Sequence, residues 1–88
     1  MAWRVGVAGS AGKQLRRAPA RDAERLVSAL QDLAEMPFSG HVEKMRGFES
    51  KYRRRVGDWR IVFDVYSAER LVRVTAIERR TTTTYRRS

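Results

Sequence analysis

The chain of 88 residues contains no cysteine, two prolines and a single histidine. The absence of cysteine excludes disulfides, thiolate metal sites and a cysteine nucleophile, so the core must be held by packing alone. No apolar run reaches the roughly 20 residues that a membrane-spanning helix needs, and the first residues lack the hydrophobic segment of a signal peptide. We therefore expect a cytoplasmic protein with no membrane partner.

Groups for acid-base or metal chemistry are also scarce. His41 is the lone histidine, without an obvious carboxylate to orient it, and the ten acidic residues form no paired motif. The segment from Gly9 to Lys13 is similar to a phosphate-binding loop, but its glycine spacing fails and Gln14 replaces the hydroxyl residue that would hold magnesium. We interpret it as a strand-to-helix turn, and we expect neither a metal nor another cofactor.

Basic charge, in contrast, is abundant and unevenly distributed. The formal net charge is +9, and the chain from Lys44 onward carries thirteen basic and five acidic residues. Backbone phosphates favour such clusters of lysine and arginine through counterion release, so the asymmetry favours a nucleic-acid partner. The simpler interpretation is a solvated basic face, or one that binds an acidic protein.

The pattern of apolar and turn residues predicts one domain spanning residues 1–88. We expect an α+β fold in the order β-α-α-β-β-β(-β), in which an antiparallel sheet carries a helix hairpin on one face. Ser10 is the predicted cap of the first helix, and an amphipathic stripe marks the second. Helices are predicted over residues 10–17 and 21–36, and strands over residues 3–8, 41–45, 51–56, 60–66 and 71–77.

Strand alternation assigns the side chains to two faces of this sheet. The apolar set is expected to face the helices: Ile61, Phe63, Val65, Val72, Val74 and Ala76. The basic set is expected on the opposite face: Arg53, Arg55, Arg60, Arg73 and, if the last strand continues beyond Ile77, Arg79. Arg54 is excluded from the basic set by the same alternation. Trp59, beside the predicted turn, either stacks on a base or fills a gap at the hairpin.

Three sequence features together resemble the RelE/ParE family of toxins. They are Lys44-Met45-Arg46-Gly47, the segment from Tyr52 to Phe63, and Arg79 before Tyr85. Members of this family are the toxic halves of bacterial toxin-antitoxin modules. The resemblance implies either a RelE-like mRNA interferase, which cleaves mRNA on the ribosome, or a ParE-like poison of DNA gyrase.

The RelE-like branch is the favoured interpretation because its basic residues and tyrosine have counterparts here. The catalytic residues that the resemblance implies are Arg53, Arg55, Arg60, Arg79 and Tyr85. They would support attack of an RNA 2′-hydroxyl on the adjacent phosphate, with the arginines stabilising negative charge and Tyr85 orienting or accepting the proton. Glu78 stands where many members carry a histidine.

The remaining basic and aromatic residues complete the expected binding surface. Contacts to RNA or the ribosome are expected from Lys44, Arg46, Lys51, Trp59, Arg73, Arg80, Arg86 and Arg87. The implied partners are a cognate acidic antitoxin, in a possible hetero-oligomer, together with mRNA and the ribosome. The alternatives are a gyrase poison without nuclease activity and a non-catalytic basic module that binds RNA or the ribosome.

Overall fold

The computed structural model of the protein describes residues 2–40, 42–47 and 51–79. Two helices and five strands follow one another in the predicted order, which confirms the α+β fold class. The elements are β1 (Arg4–Val7), α1 (Gly9–Arg17), α2 (Ala20–Glu35), β2 (Val42–Lys44), β3 (Lys51–Val56), β4 (Trp59–Tyr66) and β5 (Leu71–Arg79). A short 3₁₀ turn, Ser67–Glu69, connects β4 to β5.

The five strands form one sheet in the order β1-β5-β4-β3-β2. Strands β2 to β5 are antiparallel neighbours, as their short connections require. Strand β1 lies beside β5 and runs parallel to it, so the sheet is mixed rather than wholly antiparallel. Hairpin lengths fix the order of consecutive strands, but they carry no information on where a strand that precedes two helices will pair.

The two helices begin and end close to the predicted residues. Helix α2 starts directly after Pro19, which suits a position where the backbone N–H has no helical partner. The predicted cap of α1 is wrong: the helix starts at Gly9, Ala8 occupies the cap position, and no side chain caps it. Neither described helix has the length and apolar character to cross a membrane.

The hydrophobic core lies between the helices and one face of the sheet. Leu26 and Leu33, on the apolar stripe of α2, are fully buried, as are Ile61 and Phe63 on β4. Strand β5 adds Val72 and Val74, also fully buried. The predicted inward set is therefore confirmed for both strands except at Ala76, which is half-buried, whereas its neighbour Ile77 is only 2% exposed.

A β-bulge in β5 explains that exception. Val62 pairs with Ala76, but the next residue of β4, Phe63, pairs with Val74, which leaves Thr75 as an extra residue. The Thr75 hydroxyl donates a hydrogen bond of 3.3 Å to the carbonyl oxygen of Val62 at this irregularity. Because one inserted residue reverses the alternation, every residue of β5 after Thr75 lies on the face opposite to the predicted one.

Candidate nucleic-acid interface

The β3–β4 hairpin positions the basic residues. Its loop has two residues, since Val56 pairs with Trp59. Gly57 has a φ of +59°, and among the described non-glycine residues only Arg70 has a positive φ. Glycine with positive φ at the first loop position, followed by ordinary φ at the second, is the pattern of a type II′ turn, whose twist matches that of the flanking strands. The tight loop fixes the register that sets Arg55 opposite Arg60.

The sheet face directed away from the helices carries most of the predicted basic set, and we call it the open face. Its alternation follows from the register, because directly paired residues point to the same side. Its charged residues on β2 to β5 are Glu43, Lys51, Arg53, Arg55, Arg60, Asp64, Arg73 and Glu78. The predicted common facing of Arg53, Arg55, Arg60 and Arg73 is confirmed by this register.

Two cations of the open face form hydrogen-bonded ion pairs with acids on neighbouring strands. Lys51 Nζ lies 3.2 Å from Asp64 Oδ1. Arg53 Nη2 lies 3.0 Å from Glu43 Oε1, and its Nε donates to the same oxygen at 3.1 Å. These contacts hold Lys51 and Arg53 in place and neutralise part of their charge.

Arg55, Arg60 and Glu78 form one row across three strands of the open face. Arg55 pairs directly with Arg60, and Arg60 with Glu78. Arg60 Nη2 lies 3.7 Å from Glu78 Oε1, too far for a hydrogen bond. The buried Nε of Arg60 has no hydrogen-bond partner among the described residues, and Arg55 is exposed with no ion pair there. Arg55 is exposed and the Arg60 side chain is 34% exposed, so the accessible ends of their guanidinium groups are donors of the kind that bind phosphate.

Arg79 does not join this row, and its predicted facing is wrong. It pairs with Trp59, whose side chain lies in the core on the helix side of the sheet. The Arg79 guanidinium carbon lies 5.6 Å from the centre of the Trp59 ring, a cation–π distance. The Thr75 bulge is the cause, because it exchanges the faces of Glu78 and Arg79.

Trp59 has a structural position rather than the one expected for stacking on a base. Its side chain is 7% exposed, and its indole Nε1–H donates to Asp22 Oδ2 of α2 at 3.2 Å. Of the two interpretations left open by the sequence, the one in which Trp59 fills a gap at the hairpin agrees with this packing.

Arg54 is a residue whose role sequence reasoning missed. It lies on the helix side, where its Nη2 is 3.1 Å from Asp32 Oδ2 of α2. Gly40, with a φ of +79°, leaves room for it: a Cβ atom there would lie 3.0 Å from Arg54 Nη2. Arg54 therefore ties β3 to α2. Strand alternation could predict its facing, but not the carboxylate that it meets.

The remaining predicted residues are distributed as follows. Lys44 is exposed and pairs with Tyr52, so it lies on the side opposite to the open face, and Arg46 is exposed in the turn after β2. Four predicted site residues lie outside the described residues: Arg80, Tyr85, Arg86 and Arg87. His41 lies outside them as well. Within residues 2–40, 42–47 and 51–79, no group of three or more acidic or histidine side chains could hold a metal ion.

Comparison of the sequence with protein families gives a match over residues 7–83. The matching family is the ParE toxin of the type II toxin-antitoxin system parDE. No curated protein sequence matches the chain.

Solved structures show the same fold at low sequence identity. The chain is similar to an archaeal RelE–RelB complex from Pyrococcus horikoshii OT3, with a TM-score of 0.81, 23% identity and coverage of 93% of this chain and 99% of the other. It is also similar to the toxin-antitoxin complex RelBE2 from Mycobacterium tuberculosis (TM-score 0.79, 18% identity, coverage 91% and 100%). The third is the YoeB/ParE toxin from Agrobacterium tumefaciens (TM-score 0.74, 19% identity, coverage 89% and 99%).

Proposed function

Since the chain belongs to the ParE toxin family and is the toxin of a toxin-antitoxin module, we propose that it cleaves mRNA on the ribosome. The observation that carries this proposal is the pair of adjacent arginines, Arg55 and Arg60, on the open face. Two guanidinium groups on neighbouring rigid strands can bind one phosphate from two sides. Their donors suit the negative charge that grows on its non-bridging oxygens during cleavage.

The chemistry that fits this arrangement uses the RNA as its own nucleophile. The 2′-oxygen attacks the adjacent phosphorus, the bond to the 5′-oxygen breaks, and the products are a cyclic phosphate and a free 5′-hydroxyl. In this proposal Arg55 and Arg60 stabilise the transition state, while Arg53 positions the neighbouring phosphate. The ribosome holds the mRNA strand in place, which supplies the orientation that a small open surface lacks.

The expected regulator is a cognate acidic antitoxin. The fold is shared with RelE of the Pyrococcus horikoshii RelE–RelB complex and with RelBE2 of Mycobacterium tuberculosis, in which a toxin is bound to its antitoxin. The basic open face suits an acidic partner by charge. In this proposal the antitoxin covers the row of Arg55 and Arg60 and so blocks the phosphate site.

The test incubates the purified toxin with mRNA-programmed ribosomes and maps cuts by primer extension. We expect cuts in the wild-type reaction and a loss of about 100-fold or more in cleavage rate for Arg60→Ala, the range for removing one group that stabilises an oxyanion. Arg17→Ala is the matched control, because Arg17 is an exposed arginine on α1, on the other side of the sheet. Intact mRNA with the wild-type toxin would contradict the proposal.

A second candidate function is a poison of DNA gyrase without nuclease activity. Two observations favour it: the matching family is that of ParE, and the Thr75 bulge turns Arg79 away from the open face. A gyrase supercoiling assay with the same variants separates the two. Inhibition of gyrase together with uncut mRNA would support the second candidate, and ribosome binding with neither effect would indicate a non-catalytic binding module.

A further inference from the structure

Glu78 occupies the place on the open face that alternation alone would give to Arg79. It lies opposite Arg60, and its side chain is 54% exposed. Its Oε1 is 3.7 Å from Arg60 Nη2, so the two groups attract each other without a hydrogen bond between them. The carboxylate is therefore next to a phosphate-binding arginine and keeps its lone pairs available to a ligand.

The other two carboxylates of the open face, Asp64 and Glu43, each accept a hydrogen bond from a basic side chain. Asp64 is 9% exposed and accepts a hydrogen bond of 3.3 Å from Lys51. Glu43 accepts a hydrogen bond from Arg53 at the edge of the sheet, on β2. Among the described carboxylates of this face, Glu78 alone is both beside Arg60 and free of a hydrogen bond.

We infer that Glu78 is the general base that removes the proton from the RNA 2′-hydroxyl, an inference that rests on the proposed cleavage of mRNA. Neighbouring strands are about 4.8 Å apart, so a carboxylate on β5 is within reach of a hydroxyl next to a phosphate bound at Arg60. Carboxylates are ionised at neutral pH, whereas a phenol ordinarily keeps its proton up to about pH 10. The choice of Glu78 therefore removes the need for Tyr85 as the base.

A proton transfer to Glu78 accompanies the bond changes at phosphorus. The 2′-oxygen forms a bond to phosphorus while its proton passes to the Glu78 carboxylate. The bond from phosphorus to the 5′-oxygen breaks, and the leaving oxygen takes a proton from a water molecule of the solvent. Glu78 then returns its proton to solvent. Arg60 binds the phosphate oxygens during the reaction.

The groups around Glu78 are two arginines and two uncharged side chains. The charged groups that face it are Arg60 on β4 and, one strand further, Arg55 on β3. Ser10 and Gln14 of α1 line a cleft of about 350 Å³ together with Glu78, and both are uncharged. In these surroundings Glu78 is therefore the carboxylate that can accept a proton beside Arg60.

The experiment compares Glu78→Gln with Glu24→Gln in single-turnover cleavage of mRNA on programmed ribosomes. Glu24 is the control because it is an exposed carboxylate on α2, on the other side of the sheet. We expect Glu78→Gln to lower the maximal rate about 100-fold, the usual contribution of a general base. Binding to ribosomes should change less than threefold. Glu24→Gln should keep the wild-type rate. Added formate should partly restore cleavage by Glu78→Ala.

The results of this experiment distinguish a failure of the inference about Glu78 from a failure of the proposed mRNA cleavage. If the wild-type toxin leaves mRNA intact, the proposed function fails. If the wild-type toxin cleaves mRNA and Glu78→Gln retains more than half of its rate, the inference is wrong and the function stands. A loss of ribosome binding at an unchanged maximal rate would show that Glu78 only holds Arg60 in place, which also overturns it. Thermal melting of each variant verifies the fold.

Discussion

At the scale of single residues, the contact between Trp59 and Asp22 is a polar link between the β3–β4 hairpin and α2, beside the Arg54–Asp32 ion pair. The Asp22 carboxylate accepts the indole N–H at 3.2 Å, and the ring is 7% exposed. Asp22→Ala leaves that donor without an acceptor, so we expect the free energy of unfolding to fall by about 1 to 2 kcal/mol. Urea denaturation followed by tryptophan fluorescence measures it.

The matched control for that contact is Glu24→Ala. Glu24 is an exposed carboxylate in the same part of α2, and we expect its removal to change the stability by less than about 0.5 kcal/mol. Trp59→Phe keeps most of the packing but removes the donor. The double variant with Asp22→Ala should therefore cost less than the sum of the single variants. Strict additivity would show that the hydrogen bond contributes nothing.

At the scale of elements, the β3–β4 hairpin depends on the conformation of Gly57. Its φ of +59° is unfavourable for a residue with a Cβ, and a Cβ there would lie 2.9 Å from the Arg25 guanidinium. The flexible Arg25 side chain can move away, so the cost of the substitution comes mainly from the positive φ of the backbone. We therefore expect Gly57→Ala to destabilise the fold by about 1 to 2 kcal/mol. Gly57→Asn should lower the stability less than Gly57→Ala.

The control for Gly57 is Gly6→Ala on β1, because nothing lies within 4 Å of a Cβ atom at that position. Thermal denaturation measures the stability of both variants. Equal losses at Gly6 and Gly57 would contradict this account.

The sequence pattern predicted most secondary-structure elements and strand faces, but not the second half of β5. Hydrophobic periodicity predicted α2 and the four antiparallel strands, and alternation placed Arg53, Arg54 and Arg55 on the correct faces. It failed after Thr75, because nothing in a run of β-branched and small residues marks where an extra residue will be inserted. One bulge therefore changed the candidate site, since it replaced Arg79 by Glu78 beside Arg60.

For the whole molecule, the distribution of charge sets how strongly the proposed binding of RNA should depend on salt. The net charge is +9, yet three cations of the open face are already paired with Asp64, Glu43 and Glu78. Only charges that displace counterions from phosphates contribute to the salt dependence of binding. The effective charge of the interface is thus expected to be well below the total.

This expectation can be measured as the slope of log affinity against log salt for a single-stranded RNA. With three or four phosphates contacted, a slope of about −2 to −3 is expected, at roughly 0.7 per phosphate. Arg55→Gln should reduce its magnitude by about 0.7, whereas Arg17→Gln on α1 should leave it unchanged. If the slope were near −6, or if Arg17→Gln reduced it as much as Arg55→Gln, RNA would be responding to the total charge. The open face would then not be its binding site.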